Sequence, residues 1–344
     1  MYDKLYEIRK EVNNSPKIVV ITPVRNEAWV LDAFLTCTSS WADHIIVADH
    51  HSTDGSREIA LKYPKVTLID NPTDEWYENE CRAKLLEEAC KILGDKIIFA
   101  LDADEFLSEG FVETKGWERI MNSRPNTIFC FRWRSVYDDM YHICDEFGYM
   151  EWAAHYGESI DVVAEYRKRE HHAVHASRVP CLEESRAQYV MIDDIRFVHL
   201  AKLNKVRTQN KLDFYQVTWA DKNPMKAKPV SFYRTYSRYY PEGVILLQQP
   251  VKLTCKGNDT DYSSLVKTAD YGKHYIDEMI QIFEREGYDK FLKLNIWNNP
   301  YLLERGINPR RPLRVRLIHW YLNHTNGELF SIRLVDCLLK NLFL

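Results

Sequence analysis

Between residues 17 and 101, short apolar runs alternate with stretches whose apolar residues recur at helical spacing, and this alternation constrains the fold more than any other feature. The runs are KIVVI at 17–21, HIIVAD at 44–49, VTLI at 66–69 and IIFAL at 97–101. Between them, Val30, Leu31, Phe34 and Leu35 mark one helical stripe, and Leu85, Leu86, Ala89 and Leu93 mark another. A short helix running to about Tyr63 separates the second and third runs. Strands that are apolar almost throughout are buried on both faces, which predicts a mostly parallel α/β sheet with helices on either side. Open sheets of that kind bind ligands beyond the carboxyl ends of their strands.

Three of those ends carry polar clusters: TPVRNE at 22–27, DHHSTDGS at 49–56 and DADE at 102–105. Asp102 and Asp104, one residue apart at the end of a buried strand, offer hard oxygen ligands of the kind that hold Mg2+ or Mn2+ against substrate phosphates. Asp49 ends its strand and can accept from a base N–H or a ribose hydroxyl. Asp54 and Gly55 also form an ordinary turn and helix-start signal. Pro23 stiffens the exit of the first strand, Arg25 can face a pyrophosphate, and Glu27 can line a nucleotide edge. Asn26 and Glu27 read equally well as a helix cap.

Together these segments resemble the family-2 glycosyltransferases of GT-A fold. The family pattern is P-x-x-N-E after the first strand, D-x-S-x-D-G-[ST] after the second, and D-A-D-[DE] after the fourth. The chain matches in order and spacing over residues 17–105, with one residue inserted in the second motif. The segment before the fourth strand is degenerate, as NECR at 79–82, with Arg82 as its survivor. The resemblance implies a Rossmann-like GT-A domain that transfers a sugar, with inversion, from a nucleoside diphosphate, UDP by default. The acceptor is a hydroxyl of a glycan or a lipid-linked molecule, and the setting implied is bacterial surface polysaccharide synthesis. It assigns the donor to Pro23, Arg25, Glu27, Asp49, Arg82, Asp102 and Ala103. Asp104 becomes the metal ligand, with His199 as a second. A metal-dependent nucleotidyltransferase is the rival reading, although the 23–27 loop lacks the glycines that cradle a triphosphate. A non-catalytic adaptor that keeps the fold is another.

The transfer needs a carboxylate to deprotonate the acceptor. The expected base is Glu183 or Glu184, delivered by a strand-like segment at 172–179. Asp193 or Asp194 comes next, and Asp138, Asp139 and Glu158 are weaker candidates. His171, His172 and His175 cluster before that loop without the spacing of a zinc site.

Segments 127–134, 161–168 and 188–199 read as strands, and 201–219 and 263–287 as helices. The expected organisation is a glycosyltransferase domain over 1–225, with a donor half at 17–125 and an acceptor half at 126–225, followed by a mainly helical appendage over 226–344. A short helix at 4–12 precedes the first strand. The net charge of −4 argues against a nucleic-acid partner. Eight dispersed cysteines without a C-x-x-C pair suggest reduced thiols in a cytoplasmic protein. No apolar run reaches the ~20 residues that span a bilayer. From Arg305 to Gly327, however, there are five arginines and no acid, ahead of an apolar stripe of Ile332, Val335, Leu338, Leu339 and Leu342. That pattern suits peripheral contact with an anionic membrane, or a helix docked on the protein or on a second copy.

Overall fold

The computed structural model describes residues 15–71, 78–158, 162–167, 178–179, 187–222, 230, 233–234, 245–253, 262–268, 271–325, 327 and 329–342. The helix expected at 4–12 lies outside them. The chain divides into two compact units: one of residues 1–136, 140–201 and 248–265, the other of 137–139, 202–247 and 266–344.

In the first unit, strands β1 (Lys17–Val24), β2 (His44–Asp49), β3 (Val66–Asp70) and β4 (Lys96–Ala100) alternate with helices α1 (Ala28–Ser39), α2 (Ser56–Ala60) and α3 (Glu78–Cys90). There follow β5 (Glu105–Leu107), α4 (Lys115–Met121), β6 (Thr127–Tyr137), β7 (His142–Tyr156), α5 (Val162–Arg167) and β8 (Gln188–Lys202). The strands lie in the order β3-β2-β1-β4-β7-β6-β8-β5. β1 pairs in parallel with both β2 and β4, and β2 in parallel with β3. β7 turns the sheet by pairing antiparallel with β4, and β5 pairs antiparallel with β8. This is a mixed α/β sheet of GT-A type, with its parallel half built from the four runs read in the sequence.

The two faces of β1 show why those runs are apolar throughout. Val19 and Ile21 join Ile46, Ile98, Leu85, Leu86 and Ala89 in one buried cluster. Ile18 and Val20 point the other way and are equally buried. Elsewhere in this unit aromatic rings interlock: Trp41 lies edge-on to Phe99, Phe111 and Trp117, and Trp152 stacks on Phe197 at 4.5 Å. Such pairs add about 0.5–1.5 kcal/mol each beyond the area they bury.

Three expectations are corrected. The segment at 161–168 is not a strand; its described part is helix α5. The adjacent valines suggested a strand, but burial falls on Val162, Val163 and Tyr166, at helical spacing against α3. Tertiary packing there overrides β-branched propensity. The helix expected over 263–287 is broken in two: Tyr262–Ser264 and Leu265–Thr268 are helical, and a fresh helix starts at Lys273 after Gly272, at φ 67°. A Cβ at Gly272 would also lie 2.8 Å from the Tyr275 ring. Lastly, Cys81, Cys90, Cys130, Cys144 and Cys337 are free, but Cys37 is disulfide-bonded. Spacing along the chain does not reveal which thiols meet in space.

The second unit is helical. α6 (Lys205–Lys222) packs on α7 (Lys273–Glu286) through Val217, Ala220, Ile276, Met279 and Phe283, with Trp297 and Leu302 completing the core. Asn299 caps α8 (Pro300–Glu304) and donates to Asp213 at 2.8 Å. α9 (Leu313–Asn323) and α10 (Phe330–Leu342) meet around Tyr321, whose hydroxyl donates to Asp336; Arg234 pairs with that same carboxylate at 2.9 Å.

Candidate donor and metal site

The loops after β1 and β2 hold each other. Helix α1 has no cap from its own N-cap residue, Glu27. Its orphan N–H groups are met from the neighbouring loop instead. The Glu27 N–H donates to Ser56 Oγ at 2.9 Å, and the Ala28 N–H donates to Asp54 Oδ2 at 2.8 Å. The other Asp54 oxygen accepts the Ser56 N–H and hydroxyl at 3.0 and 2.7 Å. Asn26 closes the seam in both directions. Its N–H donates to Ser52 Oγ at 3.0 Å, and its Oδ1 accepts the Thr53 N–H at 2.8 Å. To do so Asn26 takes φ 55°, a left-handed conformation that asparagine tolerates better than most residues. Ser52, Asp54 and Ser56 are therefore structural here. Glu27 accepts from Trp29 Nε1 at 2.6 Å, and Pro23 and Arg25 are half-buried at the same strand end.

Asp49 ends β2 opposite Val24, buried. Its Oδ2 lies 3.4 Å from Arg57, which is held at 2.5 Å by Asp70. Its Oδ1 is buried without a hydrogen-bond partner among the described residues, and so is the Oδ1 of Asn71. Asn71 donates through Nδ2 to His50 Nδ1 at 2.5 Å. Two unused acceptors at adjacent strand ends suit a ligand that brings N–H or O–H donors.

On the other side of β1, the D-A-D-E turn leaves β4. Asp102 is half-exposed. Its Oδ2 accepts from Arg178 at 2.9 Å, and its Oδ1 lies 3.7 Å from the buried Arg82. Glu105 is fully buried. It takes two parallel bonds from Arg178, at 2.6 and 2.8 Å, and further ones from the Asp102 N–H and Trp152 Nε1 at 2.9 and 3.2 Å. Burial pushes the Glu105 carboxyl up, and the Arg178 guanidinium pulls it back down. Arg178 also donates to the Ala100 carbonyl at 3.1 Å and lies over the Trp152 ring.

Asp104 and His199 meet because β5 pairs with β8. Glu105 sits opposite His199 in the register, and the Leu200 N–H donates to the Asp104 carbonyl at 2.9 Å. The side chains then face each other, with Asp104 Oδ1 3.6 Å from His199 Nε2. Two ligands each about 2.1 Å from one ion, at right angles, stand about 3 Å apart, so a small adjustment brings both onto one cation. No cluster of three potential ligands occurs among the described residues. The residues present fit a two-ligand protein contribution, with the other positions left to donor phosphates and water. Ala103 is buried between the two aspartates.

Of the expected bases, Glu183 and Glu184 lie outside the described residues, as do His171, His172 and His175. Asp194 accepts the Gly116 N–H at 2.9 Å in the first turn of α4, and Asp193 accepts the Tyr149 hydroxyl. Glu158 accepts the Gly94 N–H at 3.2 Å, at the amino end of β4 and away from the site. The sequence reading missed Arg178, Glu105, Asn71 and Trp152. No local pattern marks Arg178, an isolated arginine 73 residues from its partner Glu105. Glu105 stood inside the acidic motif, and the buried strand before it was the signal for a buried, paired carboxylate.

Residues 19–143 match the family model for glycosyl transferase family 2. No curated protein matches the chain. A solved 4-diphosphocytidyl-2C-methyl-D-erythritol synthase is 14% identical, with 52% of this chain and 89% of that one covered, at a TM-score of 0.35. A solved mycobacterial protein is also 14% identical, over 39% of this chain and 45% of its own, at a TM-score of 0.29.

Proposed function

We propose that this chain, a member of glycosyl transferase family 2 by its residues 19–143, moves a sugar from a nucleoside diphosphate to an acceptor hydroxyl with inversion at the anomeric carbon. The observation that carries the reading is the approach of Asp104 to His199 at 3.6 Å beside the Asp102–Arg178–Glu105 cluster. Asp49, with its unused buried oxygen, supports recognition of the base, and the unused Asn71 oxygen supports a second contact there. Asp102 serves the ribose side, and Arg82 and Arg25 offer positive charge to the diphosphate.

Asp104 and His199 would hold Mn2+ or Mg2+, which when bound neutralises the departing diphosphate as a Lewis acid. The chain's own work is otherwise positional. A rigid strand edge holds the nucleotide, and a carboxylate from the second half, Glu183 or Glu184, takes the acceptor's proton as the hydroxyl attacks from the face opposite the leaving group. Glu105 is unsuited to that role, since both its oxygens are committed to Arg178. The acceptor is a glycan or a lipid-linked hydroxyl, and a UDP-sugar is the first donor to try.

The test is release of nucleoside diphosphate from a panel of nucleotide sugars with and without manganese. Metal-dependent turnover is expected, and Asp104→Asn should lose about 100-fold or more in kcat, in line with loss of one electrostatic clamp. Full activity of that variant at saturating metal would overturn the metal assignment. Pyrophosphate release from a nucleoside triphosphate would favour a nucleotidyltransferase instead.

A further inference from the structure

We propose that helix α9 is an interfacial anchor that lies in the surface of an anionic lipid bilayer. Leu313, Leu317 and Trp320 are 68%, 57% and 62% exposed, which is unusual for three large apolar side chains of one short helix. They form a single stripe. At about 100° per residue, Leu317 and Trp320 fall about 40° and 20° to either side of Leu313. Arg314 and Arg316, both exposed, flank that stripe at about 100° on one side and about 60° on the other. The opposite face, with Val315, His319 and Leu322, is buried in the helical unit. The stripe is therefore not a core face that lost its cover; the helix has a separate core face already in use.

Charge identifies the occupant. From Arg305 to the C-terminus the chain carries seven basic residues and two acids, while the protein as a whole is at −4. One of those acids, Asp336, is buried against Arg234 and Tyr321. An apolar stripe with a tryptophan, bordered by arginines, matches the boundary between acyl chains and anionic headgroups. A second copy of this chain is a poorer fit, because a symmetric contact would press the arginine borders together. No helix among the described residues is long and apolar enough to cross a membrane, so the contact is in-plane. Helix α10 adds exposed Phe330, Leu334 and Leu338, four residues apart, with Arg333 beside them.

The test is flotation of the full chain with vesicles of phosphatidylcholine alone or mixed equally with phosphatidylglycerol. Binding is expected to the mixed vesicles only, and to fall with added salt. Leu317→Glu with Trp320→Glu should abolish it, and each of Arg314→Gln and Arg316→Gln should weaken it roughly fivefold. Nucleotide-sugar turnover in solution and the thermal midpoint check that the variants remain folded. Equal binding to both vesicle types, retained binding by the double variant, or a wild-type dimer that this variant splits into monomers would each overturn the proposal. Failure of the catalytic reading would leave it standing, since lipid binding is read without a donor.

Discussion

Replacing Arg178 with methionine tests the ion pair at the heart of the candidate site. Glu105 is 1% exposed and the Arg178 side chain 13%, so the pair sits largely out of water. Without the guanidinium, Glu105 keeps two neutral donors among the described residues, the Asp102 N–H and Trp152 Nε1. Stranding one member of a buried pair costs about 3–5 kcal/mol. Glu105→Gln should cost less, about 1.5–3 kcal/mol, because Arg178 retains Asp102 and the Ala100 carbonyl. The double variant should be no worse than Arg178→Met alone. The pH dependence gives the sharper test. Burial already raises the Glu105 carboxyl, and losing Arg178 raises it further. A carboxyl raised in the folded state supports the fold at low pH and loses that support as pH rises through its folded value. The Arg178→Met deficit, read from urea unfolding, should therefore be larger at pH 8 than at pH 5. Equal deficits at both pH values, or fully additive single variants, would refute the buried-pair argument.

In the helical unit, burial pushes the Asp213 carboxyl from 3.8 up to about 7, although Asn299 and Gln209 donate to it. That rise corresponds to about 4 kcal/mol of stability present near pH 4 and lost by about pH 7. Asp213→Asn, with the Gln209 amide reversed to accept, should flatten that part of the stability–pH curve, and an unchanged slope would contradict it. At the site, Asp54→Ala removes acceptors for three donors across two loops and should cost about 1–3 kcal/mol while raising the donor KM, measured by chemical denaturation and initial rates.

The parallel half of the fold was readable because its signal is local. β1, β2, β3 and β4 each appear as an apolar run, since both faces of those strands are buried. β7 was not read, because CDEFGYMEWAAH mixes charge with apolar residues, and the strand is made by its neighbours. The same division holds at the site. Asp49, Asp102 and Asp104 stand in recognisable positions after apolar strands, whereas Arg178 acquires its partners only through folding. His199 was singled out as the end of a strand. What the sequence does not contain is the β5–β8 register that brings it to Asp104.

The reciprocal hydrogen bonding between the first two strand-exit loops has a dynamic corollary. Asn26, Ser52, Asp54 and Ser56 lock these loops into one rigid template, with its conformational entropy already surrendered during folding. If the proposed donor site is correct, a nucleotide would meet a surface that need not reorganise. Any closure that accompanies turnover must then be generated elsewhere in the molecule, and amide exchange at Glu27 and Ala28 should be the same with and without donor.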